Sequence, residues 1–96
     1  MVPLKLVQMA VAEPTRWKIL DVLQQRGPLT TEYVTQAVGA VYSNVSKHLI
    51  FLMNAKILDR KMGRLYGIAE EFLVPGERAL DFGAIRVQFD APEAKA

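Results

Sequence analysis

The sequence predicts a mainly α-helical fold with a small β-hairpin, and three observations carry that expectation. Residues 39–52 read as a tight turn followed by an amphipathic helix, with Val45, Leu49 and Leu52 at i, i+4 and i+7 on one buried face. Earlier helical segments are each closed by a breaker, and a basic hairpin follows within a few residues. Helices followed by a hairpin in this order make a winged helix-turn-helix, here with an extra C-terminal β-strand.

Each element has its own justification. Residues 4–12 are mostly apolar and read as a helix. Glu13-Pro14-Thr15 breaks that run and starts a second helix, since proline is tolerated in a first turn. This helix runs from about Thr15 to Gln25, with Trp17, Ile19, Leu20, Val22 and Leu23 as its buried stripe, and Gly27-Pro28 ends it. Leu29 begins a short extended link. Thr30 or Thr31 caps a third helix with Tyr33, Val34, Ala37 and Val38 inward. Gly39 supplies the turn to the fourth helix, which reaches about Ala55. Residues 57–61 and 65–68 are two short strands joined by Met62-Gly63-Arg64, where Gly63 offers the positive φ of such a turn. Glu70 to Pro75 reads as irregular, and Pro75-Gly76 as a turn. Residues 79–89 read as one strand. Ile85, Val87 and Phe89 alternate with polar or small neighbours, Leu80 and Phe82 take the opposite parity, and a bulge at Gly83 would reconcile the two. Residues 91–96 read as a frayed tail. Two parts follow: a domain over 1–68 and an extension over 69–96.

Composition narrows the function. The chain has 96 residues, about half of them apolar, which suits one small globular domain and argues against disorder. There is no cysteine, which excludes a disulfide framework, thiol catalysis and thiolate metal sites. The start of the chain lacks a signal-peptide pattern and no apolar run has bilayer length, so a soluble cytoplasmic protein with no membrane contact is expected. No glycine-rich phosphate loop, Ser/His/Asp arrangement or metal-ligand spacing is present, so no enzyme is expected. The net charge of +2 hides an asymmetry: residues 1–68 carry +5 and residues 69–96 carry −3. Within 43–64, Lys47, Lys56, Arg60, Lys61 and Arg64 face Asp59 alone. Such a patch supplies the phosphate-binding part of nucleic-acid affinity, or is a solvated basic face.

The fourth helix favours the first of these. Ser43, Asn44 and Lys47 lie at or near its outer face, close to a helix N-terminus, where phosphates bind and short polar side chains reach base edges. Arg60, Lys61 and Arg64 sit near the tip of the hairpin.

These residues resemble a known family. Val11-Ala12-Glu13-Pro14-Thr15-Arg16-Trp17-Lys18-Ile19-Leu20 is similar to the "LADPTRLRIL" opening of ArsR-type bacterial repressors. Gly27-Pro28-Leu29-Thr30 matches their "GPLT" link, Val45-Ser46-Lys47-His48-Leu49 their "VSRHL" recognition helix, and Arg60-Lys61-Met62-Gly63-Arg64 their wing. The resemblance spans residues 9–68 without a gap. It implies a homodimeric repressor on an operator palindrome in double-stranded DNA. It places Tyr42, Ser43, Asn44, Ser46, Lys47 and His48 against DNA, and Arg60, Lys61 and Arg64 against the backbone or minor groove.

The departures carry information too. Some relatives sense metals or thiol oxidation, but Thr31-Glu32-Tyr33-Val34-Thr35 replaces their cysteine motif and His48 is the single histidine, so no metal and no cofactor is expected. Ser43 is the candidate cap where relatives often use Ser at the position of Val41. Ile50 stands where they often carry a basic residue; it touches a thymine methyl or marks altered binding. Lys56 replaces the usual glycine after the helix. A strand replaces the C-terminal helix that many relatives use to dimerise, so the first helix (Leu4, Leu6, Val7, Val11) and that strand (Ile85, Val87, Phe89) are the expected interface, both being too apolar to leave exposed.

Blander readings apply elsewhere. His48 is a phosphate contact or a polar group at the edge of the core. Trp17, Tyr33 and Tyr66 are packing residues, Met9, Met53 and Met62 gap-fillers or surface, and Glu70-Glu71 a solvated pair. The alternative to DNA is a winged helix used for protein contact, which the apolar Ile50 and the acidic C-terminal part would suit.

Overall fold

Two prolines set the starts of the first two helices. In the computed structural model, which describes residues 2–90, α1 spans Leu4–Ala12 after Pro3, and α2 spans Pro14–Arg26 with Pro14 in its first turn. Proline costs nothing there because that N–H has no intrahelical acceptor. Glu13 caps α2, its carboxylate accepting the Arg16 backbone N–H at 2.8 Å. Helix α3 spans Thr31–Val38, and its cap is Thr30, whose hydroxyl accepts the Tyr33 N–H at 3.2 Å. Gly39 ends α3 in the left-handed conformation, φ 70°, and α4 spans Tyr42–Asn54.

Helix α4 closes in a Schellman motif. The Ile57 N–H donates to the Leu52 carbonyl and the Lys56 N–H to the Met53 carbonyl, each at 3.0 Å. Ile57 and Leu52 are both fully buried, the apolar contact that accompanies this ending. The residue forced left-handed is Lys56, φ 69°, the one non-glycine with positive φ among the described residues. A Cβ in that region is strained. Lys56→Gly is therefore expected to stabilise the fold by roughly 0.5–1 kcal/mol, the relief of strain less glycine's greater entropy when unfolded. A shift of the urea midpoint to higher concentration checks this; a shift downward would show that the lysine stem stabilises more than its backbone strains.

Strands β1 (Leu58–Arg60) and β2 (Tyr66–Ile68) pair antiparallel, with Leu58 opposite Ile68 and Arg60 opposite Tyr66. Leu29 exchanges backbone hydrogen bonds with Tyr66 at 3.0 and 2.8 Å, so the link between α2 and α3 lies along the free side of β2. A short 3-10 helix, Glu70–Phe72, follows where irregular chain was expected.

The C-terminal part differs from its expectation. Residues 79–89 form two strands, β3 (Ala79–Asp81) and β4 (Arg86–Gln88), paired antiparallel in a second sheet with Leu80 opposite Val87. Gly83, φ 91°, sits in the turn between them, not in a bulge. The turn is held by Asp81 Oδ1 accepting the Gly83 N–H at 2.8 Å and by the Phe82 N–H donating to the Ile85 carbonyl at 2.9 Å. The switch of parity in the sequence marks a reversal of the chain: Leu80 and Phe82 on one arm bury with Val87 and Phe89 on the other.

One hydrophobic core takes side chains from every helix and from both sheets. Phe89 packs on Trp17 with ring centroids 4.8 Å apart, and Phe72 on Phe82 at the same distance. Arg78 bridges the second hairpin to α2, reaching Asp21 Oδ1 at 2.8 Å and donating to Gln24 Oε1 at 2.8 Å.

This arrangement corrects the expected dimer surface. Val7, Val87 and Phe89 are buried within their own chain, and Leu6, Val11 and Ile85 are half-buried against the same core; of that set Leu4 alone is exposed. The expected inward face of α3 also narrows. Val34 is buried and Val38 half-buried, but Tyr33 and Ala37 lie one position round the helix and face solvent. The expected tail, 91–96, lies outside the described residues. No helix among the described residues is long and apolar enough to cross a membrane.

Candidate nucleic-acid interface

Burying Val45, Leu49 and Leu52 fixes what α4 shows to solvent. Ser43, Lys47, Ile50 and Asn54 follow at i, i+4, i+7 and i+11, one line along the outer face, and all are exposed. Tyr42 and Asn44 flank the start of that line and are exposed as well; Ser46 is half-buried beside it. The N-terminal boundary of α4 is Val41, which offers no side-chain acceptor. Ser43 is not the cap: it lies one residue inside the helix, where its backbone is already helical. The first turn of α4 therefore has no side-chain cap for its N–H groups, and an uncapped first turn favours an anion.

His48 is turned away from this line. Its Nδ1 lies 3.2 Å from Arg16 Nη1, and its Nε2 lies 3.7 Å from Glu13 Oε1. Arg16 also donates to the Met9 carbonyl at 2.7 Å and stacks its guanidinium 4.5 Å from the Phe51 ring centroid. Arg16 thus ties the end of α1, the start of α2 and the middle of α4 together. Sequence reasoning missed this role, because the partners of Arg16 lie on both sides of it along the chain, as far away as Phe51.

Glu13 completes the joint. The Arg16 N–H holds its carboxyl below the ordinary value of 4.5; burial opposes this, and the nearby His48 adds a lesser lowering effect. A carboxyl depressed on folding stabilises above its unfolded value and loses that contribution as pH falls through the folded one. The advantage of the wild type over Glu13→Gln is thus expected to be complete above pH 4.5 and to vanish in more acid solution. Thermal unfolding of both proteins across that range checks it; a difference independent of pH would remove the charge from the account.

The β1–β2 hairpin supplies the second wall. Arg60 donates to the Tyr66 hydroxyl at 3.0 Å and lies over its ring, 5.3 Å from the centroid, so its guanidinium is held in place. Arg60, Arg64 and Tyr66 line a cleft of about 280 Å3 with Tyr42 of α4 and with Thr31 and Glu32 at the start of α3. The structure thus brings the start of α4 and the two hairpin arginines together. Thr31 entered the sequence reading as a candidate helix cap, and Glu32 only as part of the segment that replaces the cysteine motif; neither was expected at this site. Lys61 is placed differently. Its stem crosses the bare backbone of Gly67, where an added Cβ would lie 3.0 Å from Lys61 Cε, and its Nζ is 3.6 Å from Asp59.

The electrostatics sort the cations. Arg78 and Arg86 of the C-terminal part are each paired with a carboxylate, Asp21 and Glu77. Lys47, Arg60 and Arg64 form no ion pair among the described residues. No group of three potential metal ligands occurs among the described residues. Compared with known proteins, the chain matches no family model and no curated sequence.

Proposed function

We propose that the chain is a sequence-specific transcriptional regulator of the ArsR-like winged helix-turn-helix type, a repressor that binds double-stranded DNA as a homodimer. In this reading α3, the turn at 39–41 and α4 are the helix-turn-helix. Helix α4 enters the major groove, and the β1–β2 hairpin is the wing on the adjacent backbone or minor groove. One observation carries it: Tyr42 at the uncapped start of α4 lines one cleft with Arg60 and Arg64, which form no ion pair among the described residues and outnumber the Glu32 carboxylate there. Phosphate fits such a place, because it takes both the helix N–H groups and the guanidinium donors. Ser43, Asn44 and Lys47 then face base edges, with Tyr42 and Ser46 at the border. His48 acts from behind, through Arg16 and Glu13. A dimer is required for two such helices to meet successive major grooves one turn apart. The apolar face of the C-terminal hairpin is taken up by the chain's own core, which speaks against that face as the dimer surface.

Random-sequence duplex titrated at 50 and at 200 mM salt tests the reading. Four to six neutralised phosphates should weaken binding by roughly two to three decades over that range. A salt-independent or absent interaction would turn the reading toward a protein-contact module, which the exposure of Val41, Ile50 and Met62 would favour.

A further inference from the structure

The outer line of α4 contains one residue that phosphate binding does not explain. Ile50 is 53% exposed, one turn beyond Lys47 and one turn before Asn54, with no neighbouring element covering it. In a groove, a branched aliphatic side chain covers hydrogen-bonding base edges and leaves them unpaired. The one apolar group on the major-groove floor is the 5-methyl of thymine. Polar neighbours on both sides of Ile50, and cations at Lys47 and Lys56 before and after it, match a duplex better than an apolar protein surface.

We propose that Ile50 is a specificity-determining residue that seats on a thymine 5-methyl group. The inference rests on the reading of α4 as the DNA-reading helix. Ile50 lies seven residues after Ser43, about 10 Å along the helix axis.

The test begins with selection of a preferred duplex from a random pool by the full chain. Deoxyuridine, which lacks only the methyl, then replaces each thymine of that duplex in turn. Wild-type protein is expected to lose about fourfold in affinity at one position, the effect of one apolar carbon returned to water. Ile50→Ala, a truncation at an exposed helix position, should bind the thymine and uracil duplexes equally at that position and keep the wild-type salt slope. The proposal is overturned if no position is methyl-sensitive, or if the sensitivity survives in Ile50→Ala. Failure to enrich any duplex would overturn the DNA reading itself, and this inference with it, before any uracil is introduced.

Discussion

Phe89→Ala is expected to cost about 3–5 kcal/mol of folding free energy, the range for removing a buried aromatic ring. Phe89 is 2% exposed and closes the core over Trp17, while the Arg78 guanidinium lies 5.7 Å above its ring. Truncation to alanine opens a cavity against α2 and removes the surface on which Arg78 lies. For a domain of this size the melting temperature should fall by on the order of 20 °C. Since small domains have only about 5–15 kcal/mol in hand, the variant should be near the limit of folding at all. Thermal unfolding followed by circular dichroism gives the answer. An unchanged melting temperature would mean that the second hairpin is an appendage, not part of the core.

The second large effect concerns Lys47. It stands in the middle of the exposed line of α4, and no carboxylate among the described residues pairs with it. Lys47→Ala should weaken binding to a selected duplex by about 1–3 kcal/mol if the lysine reaches a guanine edge, and by less if it touches phosphate alone. Arg64→Ala should behave differently. A backbone contact carries no sequence information, so selected and random duplexes should both bind more weakly and the salt slope should flatten. Paired titrations on the two duplexes separate these outcomes. Full affinity in a folded Lys47→Ala protein would remove α4 from the reading role, and a loss confined to the selected duplex in Arg64→Ala would make that arginine a base reader.

Much of the helical part was legible because its signals are local. Pro14, Thr30, Gly39 and the line Val45, Leu49, Leu52 each act within a turn or two of their own position. The β1–β2 hairpin was legible for the same reason, through Gly63. Local signals also fixed which residues of α4 face outward, and with them Ser43, Asn44 and Lys47. What was missed depends on partners far along the chain. Arg16 was read as part of a helix opening, and nothing near it indicates His48 or Phe51. Arg78 was not singled out, and nothing near it indicates Asp21 or Gln24. The alternation over 79–89 was seen correctly, but one strand with a bulge and two strands with a turn give the same change of parity. Only packing against Trp17 and Phe72 selects the second. Tyr33 was placed inward because it is large and aromatic; on a helix of 8 residues, Val34 and Val38 already fill the buried stripe.

The contact between Trp17 and Phe89 joins the second helix to the end of β4, so this corner of the core closes only once residue 89 has been made. A ribosome-bound chain can bring α2 against α1, α3 and α4 early, but Trp17 lacks its aromatic partner until Phe89 has left the exit tunnel. Translation that stops short of that residue leaves the Trp17 side of α2 bare. It yields a nascent chain with its sticky side open, fit for chaperones and proteases.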